Sequence, residues 1–311
     1  MNFHARVISR LLVLMMLSLL LASCASHSRS VPLQNSMHAE FGSDADPEQQ
    51  VKNLSIEELL ARGEKYAAQG NYELSIFHYK QALGRDAESV PALMGLGDLL
   101  WKQGSFEAAE KVYQRTLEID EQYVPALIGS GKALRKLGKL EESENRLQQA
   151  IDEEPDNLEV MTELAITYDH AGNYDLSEPI FRQVTERSPG KPGALNNLGF
   201  NLLLQQRYGE AIQPLQEALK LNPRAENTKN NLATAYLMTG KTTRARSLFE
   251  DTIGIAGAWN NIGYIHLKRG EWDMAEQAFE KALDLNPKYY ARAKKNLMRT
   301  QELREAEKES H

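Results

Sequence analysis

The sequence predicts an all-α protein made of stacked helical hairpins, and three observations lead to this fold class. A glycine or alanine recurs with a period of about 34 residues, which is typical of helix-pair arrays, and only the last step is shorter. A glycine marks a turn in nearly every period, and proline, which breaks a helix interior, ends several of them. The recurring small residues are Gly63, Gly97, Gly131, Ala165, Gly199, Ala233 and Gly263.

The small residues predict where the two helices of each hairpin cross, because helices approach closely only where side chains are small. A bulky residue in the second helix then fills the space beside each crossing. The turn glycines are Gly70, Gly104, Gly138, Gly172, Gly240 and Gly270, with Gln206 in the fifth period. The bulky residues are Tyr79, Tyr113, Leu147, Phe181, Leu215, Phe249 and Phe279.

The first period carries Leu59, Tyr66, Gly70, Tyr72 and Tyr79 in a pattern that resembles the tetratricopeptide repeat (TPR) family. The resemblance implies antiparallel helix pairs stacked into a right-handed superhelix, an α-solenoid. It covers residues 56–289, and the predicted repeats are 56–89, 90–123, 124–157, 158–191, 192–225, 226–255 and 256–289.

Both ends of the array have recognisable signals. Ser55 and Glu58 form a predicted capping box before the first helix. The sixth repeat is shorter than the others and has glycines at 254 and 257 in place of the usual loop, so we expect a tight or distorted connection there. Residues 290–311 are heavily charged and helical in pattern, which predicts a terminal capping helix and tail with a polar outer face.

Residues 1–23 have the layout of a secretory signal peptide. A basic start is followed by an apolar run over 11–21, which is too short to span a bilayer comfortably. The run ends in Leu21-Ala22-Ser23-Cys24, which resembles the bacterial lipobox, where the cysteine is lipidated after cleavage. The alternative is an ordinary signal peptide with a chance cysteine. Cys24 is the only cysteine in the chain, and it stands at the lipobox position.

Lipidation would place the protein in the cell envelope. In lipoproteins of this type an Asp after the cysteine favours the inner membrane, whereas Ala25 and Ser26 follow here. The resemblance therefore implies an outer-membrane lipoprotein that faces the periplasm, anchored through Cys24. Residues 24–55 are polar and without periodicity, which predicts a flexible tether.

Composition and motifs exclude several classes of function. The formal net charge of −7 argues against a nucleic-acid binder, which normally carries a basic stripe. The sequence contains no Gly-x-Ser-x-Gly, paired-cysteine or His-Glu-x-x-His element. We therefore predict no enzymatic activity, no catalytic residues, no cofactor and no metal site.

The candidate binding residues are asparagines in the first helices of the last three repeats. In the TPR family the fifth and sixth places of a repeat point into the concave surface, and an amide there can both donate and accept hydrogen bonds. The row resembles the asparagine ladder of peptide-binding TPR superhelices, although asparagine is also common in the TPR consensus. The predicted peptide-binding residues are Asn196, Asn197, Asn230, Asn231, Asn260 and Asn261, with Phe200 and Tyr264 nearby for apolar side chains.

A second candidate is a group of cations in the third repeat. Lys132, Arg135 and Lys136 are predicted on or near the concave face, where they could receive an acidic side chain or a carboxylate. The alternative is a solvated charged face, balanced by Glu141, Glu142 and Glu144.

The segments 196–199 (Asn-Asn-Leu-Gly), 222–233 and 240–246 together resemble the tight-adherence (Flp) pilus assembly lipoprotein of the TadD type. The resemblance implies a scaffold that binds protein partners, with a secretin or pilus-assembly components as those partners. Two alternatives share the plan of signal, lipobox, tether and TPR body. One is the pilotin of type IV pili, and the other is an adaptor that scaffolds peptidoglycan hydrolases.

Overall fold

The computed structural model describes residues 51–285 and 290–309. The predicted signal peptide, Cys24 and most of the predicted tether lie outside the described residues. Regular structure in the described residues is entirely helical, so the all-α fold class is confirmed. The chain divides into two compact units, one ending at Ile180 and the other beginning at Phe181.

Fourteen helices make up the described part of the chain, and most of them are of nearly equal length. They follow one another as hairpins, with the last helix after the seventh pair. The helices are α1 Ile56–Ala68, α2 Tyr72–Arg85, α3 Val90–Lys102, α4 Phe106–Ile119, α5 Val124–Lys136, α6 Leu140–Glu153, α7 Leu158–Ala171, α8 Tyr174–Arg187, α9 Pro192–Leu204, α10 Tyr208–Leu221, α11 Glu226–Met238, α12 Thr242–Lys268, α13 Trp272–Leu285 and α14 Tyr290–Glu309.

The capping box at the start of α1 is confirmed. The backbone N–H of Glu58 donates to Ser55 Oγ at 3.2 Å, and the Ser55 N–H donates to Glu58 Oε2 at 2.6 Å. Two backbone donors at the start of the helix, which have no partner within the helix itself, are thereby satisfied.

The predicted close crossings are present within the hairpins. A Cβ added to Gly63 would lie 2.6 Å from the Tyr79 ring, and one on Gly199 would lie 2.4 Å from Leu215 Cγ. Real Cβ atoms essentially never come within 3 Å of such atoms, so a side chain at either glycine would force its neighbour to move. The structure also shows a second use of the bulky residue. A Cβ on Gly95, in the next hairpin, would lie 2.4 Å from the same Tyr79 ring, so one tyrosine packs against two hairpins.

The turn glycines adopt the left-handed conformation, with φ between 72° and 79°. Gln206 occupies the equivalent turn of the fifth hairpin with φ 63°, and it is the one non-glycine residue with positive φ in the described chain. An L-residue in this region has its Cβ close to the following carbonyl oxygen. This turn is therefore strained where the others are not.

Replacing Gln206 with glycine should raise the free energy of unfolding by about 1 kcal/mol, because the left-handed conformation costs an L-residue roughly 1–2 kcal/mol and glycine loses some of this gain to chain entropy. Urea denaturation measures the change. The matched control is Gly240→Gln, at the same turn of the next hairpin with φ 78°, which should lose a similar amount. If both variants have the same free energy of unfolding as the wild type, the backbone of Gln206 is not strained.

The connection between the sixth and seventh hairpins has no loop. Helix α12 runs over 27 residues, and Gly254 within it has φ 74° and ψ 168°, which is outside the helical region. Only glycine adopts this conformation readily. The expected distorted connection is thus a kink at Gly254 between two helices, one of which ends the sixth hairpin while the other begins the seventh.

Candidate protein-binding surface

The six predicted asparagines lie on α9, on α11 and on the part of α12 after the kink, which are successive first helices of the second unit. We call them the asparagine face. Asn231 and Asn260 are buried, and the other four are partly buried.

Hydrogen bonds link the asparagines of one first helix to the next. Asn231 Nδ2 donates to Asn196 Oδ1 at 3.0 Å, and the Thr228 hydroxyl donates to the same oxygen at 3.1 Å. Further along, Asn296 Nδ2 on α14 donates to Asn260 Oδ1 at 3.2 Å. These amides therefore hold neighbouring helices together, in addition to any contact with a ligand.

The side-chain oxygen of Asn230 also accepts a hydrogen bond within the protein, from the Thr252 hydroxyl at 3.0 Å. Three oxygens of the asparagine face are thus occupied within the protein. Each side chain also carries an Nδ2 group with two donors. Asn196 Oδ1 accepts two hydrogen bonds, which uses both of its lone pairs, whereas the oxygens of Asn230 and Asn260 accept one each. The Nδ2 groups of these three residues are donors that suit carbonyl or carboxylate oxygens.

Two aromatic residues follow asparagines of the face by four positions on the same helix, Phe200 after Asn196 and Tyr264 after Asn260, which makes them neighbours on the helix surface. Phe200 and Tyr264 are both partly buried. The Tyr264 ring packs against the cluster of Leu267 and Phe279, and Lys268 Nζ lies 5.5 Å from its centroid. Burial raises the pKa of the Tyr264 hydroxyl. Burial, and then the charge of Arg299, lowers the pKa of Lys268. The surface therefore offers a neutral phenol and an ammonium group that has lost part of its hydration.

The three cations of the third hairpin have separate environments in the structure. Arg135 is 8% exposed, and its guanidinium donates to the Glu163 carboxylate at 2.5 Å and to Thr167 Oγ1 at 3.0 Å. An acidic ligand at Arg135 would have to displace Glu163. Lys132 lies 5.1 Å above the Trp101 ring, and Lys136 is exposed.

Several partners of these residues were not singled out from the sequence. Glu163 belongs to the hairpin after that of Arg135, and Trp101 belongs to the hairpin before that of Lys132. The available signal was the repeat period itself, because neighbouring hairpins bring together residues roughly one period apart. Asn296, which follows Asn260 at nearly the same interval, could have been found in the same way.

The described residues contain neither a membrane-spanning helix nor a metal-binding cluster. None of the fourteen helices is long and apolar enough to span a membrane. Within 51–285 and 290–309, no group of three or more His, Cys, Asp or Glu side chains is arranged to hold a metal ion.

The fold defines a class of protein, an array of stacked helical hairpins. Models described as tetratricopeptide repeat match residues 60–124 and 128–192, residues 202–258, and residues 256–289. The chain belongs to the tetratricopeptide repeat family, and its fold class is that of a TPR α-solenoid. It is a scaffold suited to protein–protein interaction.

Solved structures share the fold. A tetratricopeptide repeat protein from Parabacteroides merdae is 21% identical, with a TM-score of 0.60, and the match covers 79% of this chain and 98% of that one. The Cut9–Hcn1 hetero-tetramer of the APC/C matches with a TM-score of 0.59 at 17% identity, covering 86% of this chain and 51% of that one. At these identities the likeness shows the fold alone.

One curated relative is anaphase-promoting complex subunit 3 of Schizosaccharomyces pombe. It is 23% identical over 166 residues, and the match covers 41% of this chain and 25% of the relative. The chain therefore spans about a quarter of the length of this curated relative.

Proposed function

We propose that this chain is an outer-membrane-anchored TPR scaffold that assists the assembly of a pilus, and that its asparagine face binds an extended segment of a protein partner. The TPR family membership supports the binding of protein partners. The asparagine face supports an extended peptide as the bound form, because side-chain amides can hold a backbone whatever its sequence.

The observation that carries the binding site is the pair of hydrogen bonds from Asn231 to Asn196 and from Asn296 to Asn260. They restrict the rotation of the amides before any ligand arrives. A partner then meets donors whose side-chain entropy has already been lost, which favours binding through preorganisation. Phe200 and Tyr264 supply apolar area beside those donors.

The proposed location and system rest on sequence resemblance. The lipobox ending at Cys24 supports an anchor in the outer membrane, and the segments 196–199, 222–233 and 240–246 support a role in an Flp-type pilus system. The proposed partners are accordingly a secretin or pilus-assembly components.

Photo-crosslinking in cells tests the surface and the partner together. A benzoylphenylalanine at position 264 replaces one aromatic side chain with a larger one on the proposed surface. The matched control is the same residue at position 274, since Met274 is 55% exposed on α13, the second helix of the same hairpin. We expect adducts to secretin or pilus-assembly subunits from position 264 and none from position 274.

The outcomes separate the alternatives. Adducts to peptidoglycan hydrolases from position 264 would replace the pilus role with the adaptor role. Adducts from position 274 alone would show that the asparagine face is not the contact surface. The Cys24→Ser chain should leave the membrane fraction and lose the adducts, and an unchanged membrane fraction would contradict the lipid anchor.

A further inference from the structure

Helix α14 is attached to the second unit along one face. Ala293 and Thr300 are fully buried, and Leu297 packs against the cluster around Phe279. Arg304 binds Asp273 at 3.0 Å and Glu276 at 2.8 Å. Together with the bond from Asn296 to Asn260, these contacts hold the helix firmly in one orientation.

The opposite face of α14 carries five exposed residues spaced alternately by four and three positions. We call this set the outward stripe: Ala291, Lys295, Met298, Glu302 and Glu305. This alternation places the five residues in one line along one side of the helix. Met298 is at the middle of the stripe and is 52% exposed.

The charges of the outward stripe are complementary to themselves. Lys295 stands three positions before Met298, and Glu302 stands four positions after it. When two copies of α14 lie antiparallel with their Met298 side chains at the two-fold axis, Lys295 of each copy faces Glu302 of the other. A parallel pairing would instead place like charges together. The antiparallel pair is two-fold symmetric, so both copies use the same surface.

We propose that the outward stripe of α14 is the contact between two copies of this chain, which pair antiparallel through Met298, with reciprocal Lys295–Glu302 ion pairs. The stripe lies on the last helix and the asparagine face on α9, α11 and α12. A dimer of this kind would carry two asparagine faces, and a partner with two binding segments would be held more tightly by both together.

Sedimentation equilibrium of the full chain over a dilution series tests the proposal, in a density-matched non-ionic detergent that shields the apolar segment 11–21. We expect a concentration-dependent dimer. Lys295→Glu or Glu302→Lys alone should each weaken it about tenfold, because each change places like charges together at two symmetric contacts. Circular dichroism checks that both variants keep their helix content, as exposed substitutions should.

An equimolar mixture of the two single variants gives the decisive result. In the mixed dimer every contact again joins opposite charges, so the mixture should dimerise about tenfold more tightly than either variant alone. The matched control is Lys111→Glu, an exposed lysine on α4, which should leave the dissociation constant unchanged. A wild-type chain that stays monomeric would overturn the proposal and leave the stripe to another partner. A mixture no tighter than its components would also overturn it.

Discussion

Replacing Arg135 with leucine should lower the free energy of unfolding of the first unit by about 3–5 kcal/mol, because it leaves the Glu163 carboxylate without its cation in a poorly hydrated site. The side chains of Arg135 and Glu163 are 7% and 15% exposed. The guanidinium also donates to the Glu163 carbonyl at 3.1 Å and to Thr167. A single substitution therefore removes donors from three acceptors.

The cluster around Arg135 joins three helices. Arg135 lies on α5, Glu163 and Thr167 lie on α7, and the Ser143 hydroxyl of α6 is 3.1 Å from that of Thr167. The double variant Arg135→Leu/Glu163→Leu should recover most of the loss, because replacing both members of a buried ion pair with apolar groups is often neutral. A double variant as unstable as the single one would show that the loss comes from packing.

Urea denaturation followed by Trp101 fluorescence measures the effect in the first unit, in a background where Trp259 and Trp272 are phenylalanine. The matched control is Lys139→Leu. Lys139 pairs with Glu142 at 3.3 Å, but both side chains are more than half exposed, so we expect little change. If Lys139→Leu lowers the free energy of unfolding as much as Arg135→Leu does, burial of the ion pair is not the cause of the loss.

Shortening Leu215 to alanine should lower the free energy of unfolding of the second unit by about 2–5 kcal/mol. Leu215 is fully buried, and it fills the space that Gly199 leaves open at the crossing of α9 and α10. Gly199→Ala alone should cost about 1–3 kcal/mol, because its new methyl group would lie 2.4 Å from Leu215 Cγ. The double variant should cost less than the sum, since that methyl group enters the cavity left by Leu215.

Gly193→Ala is the matched control for Gly199→Ala. Both glycines lie on α9, but nothing lies within 4 Å of a Cβ added to Gly193. Alanine there should be neutral or stabilise by roughly 0.4–1 kcal/mol, because it reduces the entropy of the unfolded chain. The fluorescence of Trp259 and Trp272 reports these changes when Trp101 is phenylalanine. If the losses in unfolding free energy of Gly199→Ala and Leu215→Ala add exactly in the double variant, the close crossing of α9 and α10 at these two residues is contradicted.

The hairpin fold was predictable because its signals are local or strictly periodic. The turn glycines adopt positive φ in the structure, as the chemistry of a tight turn requires. Gly63 and Tyr79 lie on the two helices of one hairpin, and their contact follows from closing that hairpin. The resemblance of the repeat pattern to the TPR family predicted the same fold.

The candidate site was predictable only in part. The residues of the asparagine face were predicted from their fifth and sixth places in the repeat. The hydrogen bonds that their side chains make were not predicted. Three of its oxygens accept hydrogen bonds from Asn231, Asn296 and Thr252, and this depends on how neighbouring helices stack. Likewise, the repeat period brings the next hairpin against Arg135, but which carboxylate of that hairpin pairs with Arg135 depends on how the helices stack.

By itself, the sequence determined the all-α class, the period, the hairpin turns and the small and bulky residues at each crossing, because these depend on neighbours within one hairpin. The tertiary structure alone decided which polar atoms meet between hairpins, how Gly254 kinks α12 and which face of α14 is covered. Those features depend on the stacking distance and rotation of whole helices, and a shift of a few ångströms exchanges one hydrogen-bond partner for another.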